Sequence, residues 1–488
     1  MAGHPPSARC DVAVVGAGAA GLYAALSAAR DNASVLLVSA TPLAETASYW
    51  AQGGLAAALA VDDSAEQHLA DTISAGRGLV REAAARVLVD EAPGIVRDLE
   101  SLGVHFDADR HGTLALGLEG GHTRRRVVHA GGSTTGRRVV RQLSAIVAEH
   151  ERITVWETTR AAALWADADQ RVIGAVCEDG RAAAARAVIV ATGGTAALWS
   201  RTTNPPGSVG IGLMLAQAAG AELADLELMQ FHPTAVIGVE GREGFLITEA
   251  IRGEGATLHG PDGERFVEEL APRDAVARAI DGVLRATGAT HVGLDMRAVD
   301  PALFPNVVTA LRSAGVDPVT QLVPVAPASH YLMGGVKADL DGRTTAQGLL
   351  VAGESACTGL HGANRLASNS LSECFVLGRR AARAALGEPA PPVDPDTPPP
   401  APVPIATPDR AQREALWRDA GLVRDPEGLG RLTTSDHPLV RMIAACALLR
   451  EETRGGHCRA DFPDRDPALD LHHAVVGVRQ QPRFERWP

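Results

Sequence analysis

The 488-residue chain has six cysteines, and no two of them form a Cys-x-x-Cys pair. Cys10, Cys177, Cys357, Cys374, Cys446 and Cys458 stand singly. That spacing argues against an iron–sulfur or zinc framework, so no metal centre is expected. Isolated thiols in a long chain fit a reducing compartment, and a cytoplasmic location is the expectation. Cations are in deficit: the formal net charge is −12. Phosphate backbones need a basic footprint, which excludes nucleic acid as a main partner. A small anionic substrate is not excluded, because a few clustered arginines outweigh the global sign locally. The N-terminal MAGHPPSARC lacks the long apolar core of a signal peptide. No unbroken apolar run reaches the roughly 20 residues needed to cross a bilayer, so no membrane partner is expected. What remains is a globular composition, 46% hydrophobic and 21% charged, long enough for two or three domains.

Three apolar strands end in glycine. The run Asp11 to Val15 leads into Gly16-Ala17-Gly18-Ala19-Ala20-Gly21 and then a helical stretch, Leu22 to Arg30, before a second strand, Val35 to Val38. The first glycine makes the turn, the second lets a pyrophosphate touch the backbone, and the third lets helix pack on strand. Ser39 stands where an acidic residue usually holds the adenosine ribose; its hydroxyl is a weaker partner. A mid-chain strand ends in Thr192-Gly193-Gly194, and another in Gly353-Glu354. These resemble the second and third signatures of FAD-binding flavoproteins, the acidic one facing the ribityl chain. The three in order favour FAD over NAD. After Glu354 comes a small-residue loop carrying Arg365, and then Ser368-Asn369-Ser370-Leu371 opens a helix. Free N–H groups at such a helix start bind anions, and a lone arginine can grip a carboxylate in bidentate fashion.

The expected fold is α/β: an FAD-binding, Rossmann-like doubly wound domain, an inserted α+β capping domain and a C-terminal helical domain. The boundaries are 1–228 and 330–388 for the FAD-binding domain and 229–329 for the cap. A proline-dense linker follows at 389–410, and helices, Gln412 to Leu422 and Pro438 to Glu452, lie within 411–488.

Polar clusters complete the reading. Ser48-Tyr-Trp-Ala51-Gln52-Gly53-Gly54 follows the second strand. Then come Glu119-Gly-Gly-His122, Gln230-Phe-His232-Pro-Thr234, Leu246-Ile-Thr248-Glu249, Ala271-Pro-Arg273-Asp274 and His330-Tyr-Leu-Met-Gly-Gly335. Near the end stands Glu452-Thr-Arg-Gly-Gly-His457. Together they resemble the succinate dehydrogenase/fumarate reductase flavoprotein family, and within it the L-aspartate oxidase branch.

The resemblance implies a dicarboxylate held at both ends against the flavin, by His232 and Thr248 on one side and His330 and Arg365 on the other. It places the proton-transferring arginine at Arg273. A guanidinium with a pKa near about 12.5 is a poor base, so stabilising substrate charge is the firmer physical role. Glu119 discriminates among dicarboxylates: its carboxylate would pair with the ammonium of aspartate and disfavour plain succinate. The alternative for Glu119 is a loop carboxylate paired with Arg124, Arg125 or Arg126. Respiratory members carry FAD covalently on a histidine shortly before Ala-Gln-Gly-Gly, where this chain has Ala47, so non-covalent FAD is implied. The implied reaction takes L-aspartate to iminoaspartate with O2 (giving H2O2) or fumarate as acceptor. That is the first step towards quinolinate and NAD, with quinolinate synthase downstream. The alternative is the flavoprotein subunit of a succinate dehydrogenase or fumarate reductase. One departure is Ile211, in Gly-Ile-Gly where relatives read Gly-Asp-Gly; its side chain cannot hydrogen-bond a flavin.

Overall fold

The computed structural model describes residues 8–390 and 397–488; part of the proline-dense linker lies outside them. Its main layer is a seven-stranded sheet. Ile153–Trp156, Val35–Val38, Ala8–Val15 and Ala182–Val190 run side by side in parallel, and Leu349–Val351 joins Ala182–Val190 in the same sense. The three glycine-ended strands therefore lie together in one sheet, although the other two begin 166 and 333 residues after Gly16; what unites them is the apolar face each buries. Val12, Val14, Ile189, Val190 and Val351 are wholly buried, as near-continuous apolar strands covered on both faces must be.

Two helices lie together against this sheet. Ala19–Arg30 is built largely from alanine, and Asn369–Leu386 crosses it. The approach is close: a Cβ on Gly378 would sit 2.9 Å from the carbonyl oxygen of Ala20. The rings of Tyr23 and Phe375 meet edge to face at 5.3 Å within the same contact.

A four-stranded antiparallel sheet forms a second layer: Met229–Val236, Val323–Leu332, Val292–Asp295 and Thr257–His259. It has its own core around Ile247, Val276, Leu294 and Val325. The C-terminal segment begins with helices Arg410–Asp419, Pro426–Leu432 and Pro438–Leu449. It then adds two strands, His472–Val476 and Arg483–Arg486, to a five-stranded sheet through Leu223–Ala224. The sequence reading expected only helices there.

A buried ionic network ties this segment to the body. Glu452 accepts from Arg450 Nη1 (3.1 Å), Arg454 Nε (2.7 Å), Arg454 Nη2 (2.8 Å) and the Asp466 amide (2.9 Å). Arg450 also reaches Glu227 Oε1 at 2.7 Å. Removing one member of such a network strands the others without a counter-charge. Glu452→Ala is expected to destabilise by about 3–5 kcal/mol, read as a lower urea midpoint. Glu452→Gln, which keeps acceptors, should lose less; an unchanged midpoint in both would show that the network contributes nothing beyond packing.

Candidate active site

The parallel strands deliver their C-terminal ends to one cavity of about 660 Å³. Ligands in open α/β sheets bind at this edge. Gly16 has φ +109°, and a Cβ there would collide with the carbonyl of Ala191. Gly21 abuts the Gly16 carbonyl in the same way. The strand end and helix start thus close to backbone contact. No side chain caps the Ala19–Arg30 helix at Gly18, although the Ala19 amide donates to Ser48 Oγ at 3.1 Å. An uncapped helix start on a cavity wall fits a pyrophosphate.

Gly16, Ala17, Gly18, Ala19, Ala20, Ser39, Ser48, Ala51, Gln52, Gly53, Gly54, Thr192, Gly193, Glu354, Ser370 and Leu371 all line the cavity. Gly21 and Gly194 do not. They serve by packing: Gly21 against its own turn, and Gly194 against the carboxylate of Glu354, which a Cβ would strike. The Ser39 hydroxyl donates to the Thr41 carbonyl at 2.6 Å, so towards a ribose it acts as an acceptor. Burial pushes the Glu354 carboxyl up to about 7, against the pull of the Leu332 amide it accepts at 3.0 Å. Ile211 lines the wall as an apolar residue.

The same cavity is lined by Glu119, His232, Thr248, Arg273, His330 and Arg365. His232 and His330 come from neighbouring strands, their ring centroids 5.2 Å apart. His232 Nδ1 accepts the Thr234 amide at 3.3 Å, which puts the ring proton on Nε2; that atom is buried and has no protein partner. Burial, helped by Arg273 and His330, holds the His232 imidazole well below its ordinary range. Burial, then Arg365 and Arg273, do the same to His330, whose Nδ1 lies 2.7 Å from Thr203 Oγ1.

Arg273 begins the helix Arg273–Thr287 and is held at two points, Nε to Glu249 Oε2 (2.8 Å) and Nη1 to Gln230 Oε1 (3.1 Å). Burial would raise the Glu249 carboxyl, but Arg273 and Arg252 outweigh it and keep Glu249 ionised. Arg365 donates Nη1 to Ser370 Oγ at 2.8 Å, while its Nε is buried without a partner. Burial and then Arg273 bring the Arg365 guanidinium down to about 10, so it remains charged at neutral pH.

Glu119 does not pair with the arginines that follow it. Arg126 turns inward to Asp63 (2.8 Å) and Asp71 (2.5 Å), and Arg124 reaches Gln67. Glu119 instead accepts the Ser368 hydroxyl at 2.7 Å through Oε2, and its buried Oε1 has no hydrogen-bond partner. Ser368 holds φ +60°, an uncommon conformation for a residue with a side chain, and also accepts the Gly54 amide at 3.2 Å. Sequence reasoning missed Ser368, Gln230, Glu249, Thr203 and Tyr331 as site residues. Glu249 and Tyr331 each directly follow a residue already singled out, so adjacency was the available signal; for the others there was none short of the fold.

Known proteins resemble the chain over most of its length. An FAD binding domain model matches residues 11–371, and a fumarate reductase flavoprotein C-terminal model matches 437–487. An L-aspartate oxidase of Caulobacter vibrioides is 47% identical, the alignment covering 96% of this chain and 94% of that protein. An L-aspartate oxidase of Streptomyces coelicolor is 42% identical over 96% and 91%. Among solved structures, a quinol fumarate reductase flavoprotein of E. coli superposes with a TM-score of 0.86 at 26% identity, covering 98% and 96%. Mycobacterium smegmatis Sdh1 does so with a TM-score of 0.82 at 30% identity, covering 98% and 93%. The cradle of glycines, the uncapped helix start and the carboxyl of Glu354 suit FAD, and the chain belongs to the L-aspartate oxidases of the succinate dehydrogenase/fumarate reductase flavoprotein family.

Proposed function

We propose that the chain oxidises L-aspartate to iminoaspartate. FAD, when bound in the cavity, supplies the hydride acceptor, with O2 (giving H2O2) or fumarate taking the electrons onward. The observation that carries the reading is Glu119 Oε1, buried with no hydrogen-bond partner and only His129 Nε2 at 3.9 Å, in a pocket whose wall also holds Arg273, Arg365 and two neutral imidazoles. Arg365 contributes one positive charge, and the group of Arg252, Arg273 and Glu249 contributes a second. Glu119 contributes one negative charge. Aspartate carries two carboxylates and one ammonium, the complement of that set. Succinate and fumarate lack the ammonium and would leave Glu119 Oε1 unsatisfied, a cost for any buried acceptor.

His232, with its proton on Nε2, donates to one carboxylate without adding charge. Thr248 supplies a hydroxyl, and the side chain is not used to cap its own helix. His330 and Arg365 hold the other carboxylate. Such charge-assisted contacts at both ends fix the Cα of the substrate against the cofactor. Arg273, with Glu249 on its Nε, stabilises the charge that develops beside that carbon; the family likeness assigns it the departing proton, which a guanidinium can take only after giving one of its own to a neighbour. The wall Thr41 to Gly54 carries Ala47 and no histidine, which supports non-covalent FAD. Among the described residues no helix is long and apolar enough to cross a membrane, and all six cysteines are free. Both support a cytoplasmic enzyme whose iminoaspartate passes to a quinolinate synthase for NAD formation.

Anaerobic L-aspartate should bleach the flavin absorbance of the holoenzyme; bleaching by succinate and not aspartate would sink the reading. Glu119→Gln should weaken aspartate oxidation at least tenfold and spare fumarate reduction, since about 1.4 kcal/mol of ammonium pairing is a factor of ten. Equal loss of both activities removes the ammonium role. The histidines give a pH test. The native state keeps His232 and His330 neutral below the ordinary 6.5, so the unfolded chain takes up protons that the native chain does not. Their contribution is fully present above that value and is lost as pH falls through it. Replacing both with Gln should flatten the thermal midpoint against pH between about 6.5 and 5. An unaltered acid limb would mean that the rings protonate in place.

A further inference from the structure

We propose that Tyr331, Glu373 and His361 form a positioning array that fixes the plane of the Arg365 guanidinium and keeps its donors available to a substrate carboxylate. The proposal rests on the reading of Arg365 as a carboxylate-binding cation.

Arg365 is buried, yet among the described residues no carboxylate is ion-paired with it; its one side-chain hydrogen bond goes to Ser370 Oγ at 2.8 Å. A buried cation ordinarily needs a partner. Here the partner is a ring. The Arg365 Cζ lies 4.6 Å from the centroid of Tyr331. The face of a phenol attracts a cation, and the attraction grows when the surroundings are dry. The phenol is itself anchored: Tyr331 donates to Glu373 Oε2 at 2.9 Å. His361 Nε2 lies 2.8 Å from the same oxygen, and the two rings meet edge to face at 5.3 Å and 88°. Tyr331, His361 and Glu373 are all buried.

Two consequences follow from this chemistry. A phenol that donates to a carboxylate shifts electron density into its ring, which strengthens the pull on Arg365. A carboxylate touching Arg365 directly would hold it more firmly but would occupy the fork that must grip the substrate. Placing Glu373 behind the ring holds the cation and leaves Nε and Nη2 for a ligand. Ser370 and Glu373 are three residues apart on one helix, so a single element sets both the edge contact and the ring that carry Arg365. Tyr331 shares the cavity wall with Arg365, whereas His361 and Glu373 do not reach it; the array acts on substrate through Arg365, which makes its members positioning residues.

The test is a double-mutant cycle in the FAD-loaded enzyme. Tyr331→Phe keeps the ring and loses the anchor. It should raise the KM for L-aspartate and the Kd for succinate, read from the perturbed flavin spectrum, by about tenfold each. The change in kcat should be much smaller, with FAD content unaltered. In an Arg365→Lys background, where no planar fork remains to be oriented, the same substitution should add little. Glu373→Gln, which keeps an acceptor for the phenol and removes the charge, should shift KM in the same direction by less. An unchanged KM in Tyr331→Phe, or an equal rise in the Arg365→Lys background, overturns the array. Loss of FAD with no KM shift also overturns it, because that marks a purely structural role. A wild-type holoenzyme that binds neither aspartate nor succinate would instead overturn the reading of the site itself.

Discussion

The helix Asn369–Leu386 lies so close to the helix Ala19–Arg30 that Gly378 has no room for a side chain beside the Ala20 backbone. That contact governs the rest. One helix begins at the glycine turn, the other at Ser368, and both starts open on the same cavity. The cofactor cradle and the substrate loop are therefore two ends of one packed pair, not two sites brought together by flexible loops. Ser368 holds Glu119, Ser370 holds Arg365, and Glu373 holds Tyr331, all from the first turns of a single helix. A shift of that helix would move Glu119 and Arg365, the proposed ammonium and carboxylate partners, together. Their separation, which must match one small substrate, is set by a rigid element.

Charge in the pocket is arranged by burial as much as by residue type. Two imidazoles that would be partly cationic in water are neutral here because they share a dry space with Arg273 and Arg365. Neutral rings donate hydrogen bonds without increasing the positive charge. This limits the positive charge around Glu119, as its proposed pairing with an ammonium requires. Arg126, four residues beyond His122 by way of a turn of arginines, would be the obvious neutraliser; its engagement with Asp63 and Asp71 removes it from competition.

The glycine turns were legible in the sequence because few residues tolerate φ near +109° or a carbonyl in place of a Cβ, so residue identity there reports geometry directly. Glu119, His232, Arg273, His330 and Arg365 were legible as a set because each sits in a distinctive local cluster. Ser368 was quoted within its motif but its task was not visible, since its partners, Gly54 and Glu119, lie 314 and 249 residues away. Gln230 was hidden likewise, and for Glu249 adjacency to Thr248 marked the position but not its task of holding Arg273, 24 residues on. The C-terminal strands were missed for a different reason. His472–Val476 is too short for its alternation to stand out, and it becomes a strand by pairing with the two residues Leu223 and Ala224.

That pairing changes how the C-terminal segment is understood. Sequence composition alone presents a proline-dense connector followed by an appended unit. The structure places Thr407 and Pro408, at the end of the connector, and Arg413, just past it, on the cavity wall. The Ser200 amide donates to the Arg413 carbonyl at 3.1 Å, and the Trp199 indole donates to the Ala420 carbonyl at 2.9 Å. These bonds bind the helix Arg410–Asp419 to the chain just before Thr203 and Asn204, which orient His330. The Glu452 network then fastens the far end of the segment to Glu227, two residues before the strand that carries His232. His330 and His232 are thus both braced from the C-terminal side, and the segment is part of what holds the geometry of the candidate site rather than an addition to it.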